Sequence, residues 1–149
     1  MIIKTEHDLS CDDMEVLIRY AKENERVERL ISLIQSFDTQ IKCNEENIEH
    51  LVNVSDIFYI ESVDKRTFVY LEEKVFRTDY RLYQLAENLA DLGFVQISKS
   101  CILNINALES IKPLINSRME ATLKNGERLY ITRKYLENIR KTLQGGTGI

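Results

Sequence analysis

With 149 residues, 44% of them hydrophobic and 30% charged, the chain has the composition of a soluble globular protein, one domain or one domain with a small appendage. No apolar run approaches the roughly 18 residues that span a bilayer, and the start Met1-Ile2-Ile3-Lys4-Thr5-Glu6 lacks the features of a signal peptide, so a cytoplasmic protein without membrane insertion is expected. The net charge of −4 argues against a nucleic-acid partner only as an average: residues 1–50 carry 12 acidic and 6 basic side chains, but from Ile97 onward the count is 4 against 9.

Apolar-rich runs at residues 2–6 and 15–20, separated by the polar stretch 8–13, read as two strands. From Asn24 the pattern changes to Val27, Leu30, Ile31, Ile34 and Phe37, recurring at three and four residues. That spacing predicts a helix with Asn24 as its N-cap and Glu25 and Arg29 placed as an i,i+4 pair. The result is a small acidic β-β-α segment over residues 1–50, which cannot bury its apolar residues alone. It is expected to pack on the rest of the chain, on its twin in a homodimer, or to receive a signal from a regulatory protein partner.

Hairpins dominate the middle of the chain. Residues 39–42 and 48–52 pair across Asn44-Glu45-Glu46-Asn47, and residues 57–62 and 67–71 flank the turn Val63-Asp64-Lys65-Arg66. After a short strand at 75–77, Asp79 is the expected cap of a helix whose stripe is Leu82, Leu85, Ala86 and Leu89 and whose stop is Gly93. This helix is expected to pack and not to bind. Pro113 disfavours a central strand at that position. Residues 119–124 and 127–131 are joined by Asn125-Gly126, residue types suited to both central positions of a type I′ turn. Thr132 is read as the cap of a last helix with Tyr135, Leu136, Ile139 and Leu143 inward, followed by a flexible tail over 145–149. Residues 51–144 thus read as an α+β domain, predominantly antiparallel β, with short helices.

Enzyme chemistry finds no footing. There is no Gly-rich phosphate loop, GxSxG elbow or HExxH, and neither histidine, His7 or His50, lies beyond residue 50 to serve Ser98, Ser100 or Cys101 as a base. The acidic pair Glu72-Glu73 reads as a solvated turn. The cysteines Cys11, Cys43 and Cys101 form no CxxC pair and lack metal-ligand spacing to histidine, so no disulfide, metal, cofactor or catalytic residue is expected.

Binding chemistry is better supported. Lys99 stands between the hydroxyls of Ser98 and Ser100, a set able to donate to phosphate oxygens and, through Lys99, to guanine edges. Arg133 and Lys134 fall in the first turn of the last helix, where cations oppose the helix dipole but suit a phosphate site. Lys65 and Arg66 occupy a hairpin tip. Asn104, ending an apolar run, reads instead as a structural amide that satisfies backbone groups in a turn.

Three blocks carry a resemblance: Tyr59-Ile60-Glu61-Ser62, the stretch Phe94-Val95-Gln96-Ile97-Ser98-Lys99-Ser100-Cys101-Ile102-Leu103-Asn104, and Tyr130-Ile131-Thr132-Arg133-Lys134-Tyr135. In order and spacing they resemble the LytTR family of bacterial DNA-binding domains, from about Val54 to Leu143. The resemblance implies a predominantly antiparallel β domain and sequence-specific binding of double-stranded DNA by a transcription regulator, with loops entering successive major grooves. By position, Lys65 or Arg66, Lys99 and Arg133 would reach the grooves, and Ser98, Ser100, Thr132 and Lys134 complete the expected DNA-binding set. Gln96 and Ser98 stand where family members often carry Arg and His, so that loop is expected to bind more weakly or to read another sequence. The first 50 or so residues are too short for the receiver domain of many relatives, and phosphorelay control is not expected. The competing reading is a protein-interaction module that binds an acidic partner through its basic C-terminal face.

Overall fold

A computed structural model describes residues 1–144; the tail read at 145–149 lies outside them. Helix α1 (Glu25–Phe37) leads into β1 (Gln40–Glu45), β2 (Ile48–Asn53), β3 (Tyr59–Val63), β4 (Arg66–Tyr70) and β5 (Val75–Thr78). Helix α2 (Leu82–Asn88) precedes β6 (Phe94–Ser98), β7 (Cys101–Asn104), β8 (Leu108–Pro113), β9 (Met119–Leu123), β10 (Arg128–Ile131) and α3 (Leu136–Gln144). All strand pairs are antiparallel, in a seven-stranded sheet of order β2-β1-β5-β4-β3-β7-β6 and a three-stranded sheet of order β10-β9-β8. The α+β, predominantly antiparallel fold read from the sequence is the one observed.

Central strands explain the apolar runs. In β7, Ile102 joins a core with Ile60, Val69, Leu85 and Leu89, whereas its neighbours Cys101 and Leu103 join Tyr59, Ile97, Leu123, Ile131 and Ile139. Successive side chains on a strand point to opposite faces, so Cys101, Ile102 and Leu103 of β7 are all apolar because α2 covers one face of the sheet and the small sheet with α3 covers the other. Pro113 ends β8, an edge strand where its missing N–H breaks no ladder.

The N-terminal strands are a correction. Residues 1–24 contain no strand: Asp8 organises a local turn, accepting from the Ser10 N–H at 2.9 Å and its hydroxyl at 2.7 Å, but 2–6 and 15–20 join no ladder. The runs Ile2-Ile3 and Val16-Leu17-Ile18 lack period-two alternation, and an isolated two-stranded hairpin is marginal in water. Of the expected β-β-α unit only α1 forms, capped as read by Asn24, whose Oδ1 accepts from the Val27 N–H at 3.1 Å. The hairpin of β1 and β2 spans residue 50 and belongs to the large sheet.

Turns and caps also depart from expectation. The type I′ pattern, positive φ at both central residues, occurs at Glu46-Asn47 and at Asp64-Lys65. At Asn125-Gly126 only Gly126 has positive φ, 89°, and its N–H donates to the Leu123 carbonyl, so Lys124 and Asn125 turn the chain and Gly126 closes it. Asp79 does not cap α2. The helix starts later, with Gln84 Oε1 accepting from the Arg81 N–H at 2.9 Å. Gly93 follows that helix with φ 88°, and a Cβ there would meet Asn106 Nδ2 at 3.2 Å.

Candidate nucleic-acid interface

Three segments carry the expected DNA-binding residues. The first is the β3–β4 turn, where Val63 pairs with Arg66 and leaves Asp64 and Lys65 as the two loop residues, with φ of 50° and 65°. Short hairpin loops take positive φ because it matches the strand twist, and non-glycine residues there carry some strain. Arg81, from the start of α2, donates through Nη1 to the Lys65 carbonyl at 3.3 Å and ties the turn to the helix.

The second segment is the β6–β7 loop. A register shift between Gln96 and Ser98 lets Ser98 pair with Cys101, leaving Lys99 and Ser100 exposed at the tip. The loop is braced on three sides: the Ser100 N–H donates to Ser98 Oγ at 3.3 Å, Gln96 Nε2 donates to the Lys99 carbonyl at 3.5 Å, and the Ser62 N–H donates to the Ser100 carbonyl at 2.8 Å. These bonds occupy backbone groups and one lone pair of the Ser98 oxygen, so the Lys99 ammonium and the Ser98 and Ser100 hydroxyls remain donors at the tip.

The third segment follows β10. The Thr132 N–H donates to the Ile97 carbonyl at 3.0 Å, which fastens residues 132–134 beside the strand that ends in Ser98. Thr132 is not a helix cap by its side chain: its hydroxyl reaches the Ile97 carbonyl at 3.5 Å, and Arg133–Tyr135 form a single 3-10 turn before α3 begins at Leu136. Burial of Leu136 and Ile139 fixes where the α-helix can start, so Arg133 and Lys134 precede it and lie exposed. Lys134 Nζ lies 5.7 Å from the Tyr135 ring centroid.

A groove of about 820 Å³ joins the first two segments, with Lys65, Lys99 and Ser100 in its lining together with Ser62, Arg81 and Gln96. Arg66 is not in that lining. Its neighbour Thr67 is, and adjacent strand residues face opposite sides of a sheet. Ser98, Thr132, Arg133 and Lys134 also lie outside the groove but are linked to it through Ile97. Arg81 is the residue that sequence reasoning misses, because a helix expected to start near Asp79 and to serve packing alone gives no reason to single it out.

Asn104 has the structural role read for it. It is 4% exposed, its Nδ2 donates to the Ile57 carbonyl at 2.8 Å and its Oδ1 accepts from the Asn106 N–H at 3.0 Å. Burial pushes the Cys43 thiol up to about 11, and burial followed by the nearby Glu61 carboxylate pushes Cys101 up to about 12, so neither is a thiolate near neutral pH. Among the described residues no cluster of His, Cys, Asp or Glu has metal-binding geometry, and no helix is long and apolar enough to cross a membrane.

Known proteins give this geometry a context. The model of the LytTr DNA-binding domain matches residues 49–144. The chain is 27% identical over 137 residues to the sensory transduction protein LytT of Bacillus cereus, a match covering 88% of this chain and 55% of that one. It thus spans about half the length of that relative. It is 29% identical over 129 residues to an uncharacterised HTH-type transcriptional regulator of Staphylococcus aureus, covering 85% of this chain and 86% of that one. A solved LytTr DNA-binding domain from Bacillus cereus superposes with a TM-score of 0.67 at 28% identity, over 70% of this chain and 96% of that domain. With three segments of basic and hydroxyl side chains held on an antiparallel β scaffold, and with most of its length matched by the family model, the chain belongs to the LytTR family of DNA-binding domains.

Proposed function

We propose that the protein is a bacterial transcription regulator of the cytoplasm that binds double-stranded DNA sequence-specifically, its loops reading successive major grooves. The observation that carries this reading is the bracing of the Ser98-Lys99-Ser100 loop by Ser62 of β3, with residues 132–134 fastened to Ile97 immediately before that loop. Lys65, Lys99, Arg133 and Lys134 are all exposed along this stretch, and a duplex offers a phosphate every few ångströms to such a row of cations. Binding should weaken steeply with salt as condensed counterions are released, and selection from a random duplex pool should enrich sites preferred at least about 1000-fold over random DNA. Salt-insensitive binding, or a pool without enrichment, would remove this reading and favour the acidic protein partner, for which the basic excess after Ile97 is the supporting feature.

The regulator acts as a homodimer through its N-terminal segment. Ile2, Ile3, Leu9 and Leu17 are each more than 80% exposed, an apolar set that water does not favour and that a second copy would cover. The same segment is where a regulatory protein partner would act. Sedimentation of the protein and of a form lacking residues 1–22 should give dimer and monomer respectively. A dimer that survives the deletion overturns the assignment, and a monomeric full chain leaves the segment to the regulatory partner.

A further inference from the structure

We propose that Arg81 is a DNA-contacting and positioning residue, which clamps the Asp64-Lys65 turn through the Lys65 carbonyl and holds a backbone phosphate with the remaining N–H groups of its guanidinium. The inference rests on the DNA-binding reading above and adds to it a residue from an element that had only a packing role.

The geometry carries it. One donor of the Arg81 guanidinium, Nη1, is engaged with the Lys65 carbonyl at 3.3 Å, and that side chain has five N–H donors in a planar fork. Arg81 lines the same groove as Lys65 and Lys99. Lining charges are Lys65, Arg81 and Lys99 against Glu87, three cations and one carboxylate, so the concavity is positive and accepts an anion. Ser62 and Ser100 supply hydroxyl donors in the same lining. The site is made by side chains, since α2 is only 7 residues long and adds little terminal field.

The clamp has its own consequence. Lys65 sits at φ 65°, a left-handed conformation that carries some strain for a lysine. Fixing the carbonyl of that residue reduces the number of directions in which the Lys65 side chain can leave the backbone. A base or phosphate contact made by Lys65 is thereby preorganised, which lowers the ordering cost of binding. Arg81 and Lys65 should consequently act on DNA as a coupled pair.

The test uses the full chain and a duplex enriched from a random pool. Arg81→Ala should weaken binding about tenfold on specific and random duplex alike and lower the slope of log affinity against log salt by about 1. Arg81→Lys, which keeps the charge and loses the fork, should restore the salt slope without restoring the affinity. Arg81→Ala combined with Lys65→Ala should bind more tightly than the two single losses multiplied together predict, because removing either partner disables part of what the other does. Thermal unfolding of the variants should match the parent, since the Gln84 bond uses the Arg81 backbone and survives. If the parent binds an enriched site and Arg81→Ala keeps its affinity and salt slope, the Arg81 proposal is overturned while the DNA reading stands. If Arg81→Ala weakens binding with an unchanged salt slope and its loss multiplies independently with that of Lys65→Ala, both the phosphate contact and the clamp are rejected. A parent that enriches no site removes the DNA reading itself.

Discussion

The rings of Tyr59 and Tyr70 are stacked, with centroids 4.2 Å apart and planes 7° from parallel. They are direct cross-strand partners on β3 and β4, so the pair holds the register of the hairpin that ends in the Asp64-Lys65 turn. Glu127, in the loop before β10, lies near enough to the Tyr59 phenol to help hold it protonated, which sets this hairpin against the small sheet. Tyr59→Phe keeps the stacked ring and removes only the hydroxyl, so it should cost no more than about 1 kcal/mol. Tyr59→Ala should cost about 3–5 kcal/mol, as expected for deleting a buried aromatic ring, and urea unfolding at neutral pH distinguishes the two.

Alkali should destabilise the protein through its buried thiols and phenol. Cys43 and Cys101 are held at about 11 and about 12 against an ordinary thiol value of 9.0, chiefly by burial. Tyr59 is raised for the same reason, with Glu127 adding to it. Groups whose folded pKa lies above the unfolded one contribute stability in full below the unfolded pKa and lose it as pH rises toward the folded one. The urea midpoint should therefore be flat through neutrality and fall above about pH 9, and replacing Cys43 and Cys101 by alanine should flatten part of that fall. A neutral thiol reagent on the native protein should label Cys11, which is exposed, and spare both others.

Asn104 joins the Ile57 carbonyl to the Asn106 N–H from a position 4% exposed. Asn104→Ala leaves both partners unpaired in the interior and should cost about 1–3 kcal/mol. Because its side chain meets backbone and not solvent, the folded variant should bind DNA as the parent does. Thermal unfolding beside a DNA titration checks both halves, and weakened binding by the fully folded variant would move Asn104 from the scaffold to the interface.

How much of the fold is legible in the sequence depends on periodicity. The central hairpins, the Asn24 cap and the role of Asn104 follow from alternation, spacing and side-chain chemistry that act within a few residues. The runs at 2–6 and 15–20 have the apolar content of strands without the alternation, and among the described residues they pair with no strand. Asp79 and Thr132 are good cap types that lose to packing, since burial of Leu85 and of Leu136 decides where each helix begins. Arg81 has no local signature because its contact to Lys65 spans 16 residues and depends on how α2 meets the β3–β4 turn. Such a contact is a property of the tertiary fold and leaves no trace in the spacing of residues.

The residues proposed to meet DNA should separate into two kinds. Lys99 is the cation of the loop tip, beside Ser100, and Arg133 is held beside the same strand by the Thr132 bond to Ile97, so both are exposed on braced backbone. If they reach base edges, Lys99→Ala and Arg133→Ala should each cost about 1–3 kcal/mol on the cognate site and relax preference at one or two base pairs. Lys134 is drawn toward the Tyr135 ring and is better suited to a phosphate, so Lys134→Ala should weaken all sequences alike and lower the salt slope by about 1. Arg66, outside the groove, should matter less than Lys65, and a smaller loss for Arg66→Ala than for Lys65→Ala on the same duplex would bear that out. All these side chains are exposed, so stability should stay within about 0.5 kcal/mol of the parent and binding changes are read free of folding. A panel of single-base operator variants decides the matter: Lys99→Ala and Arg133→Ala proteins that discriminate as the parent does would rule out base reading by these two residues, and the specificity would then have to come from the shape of the duplex.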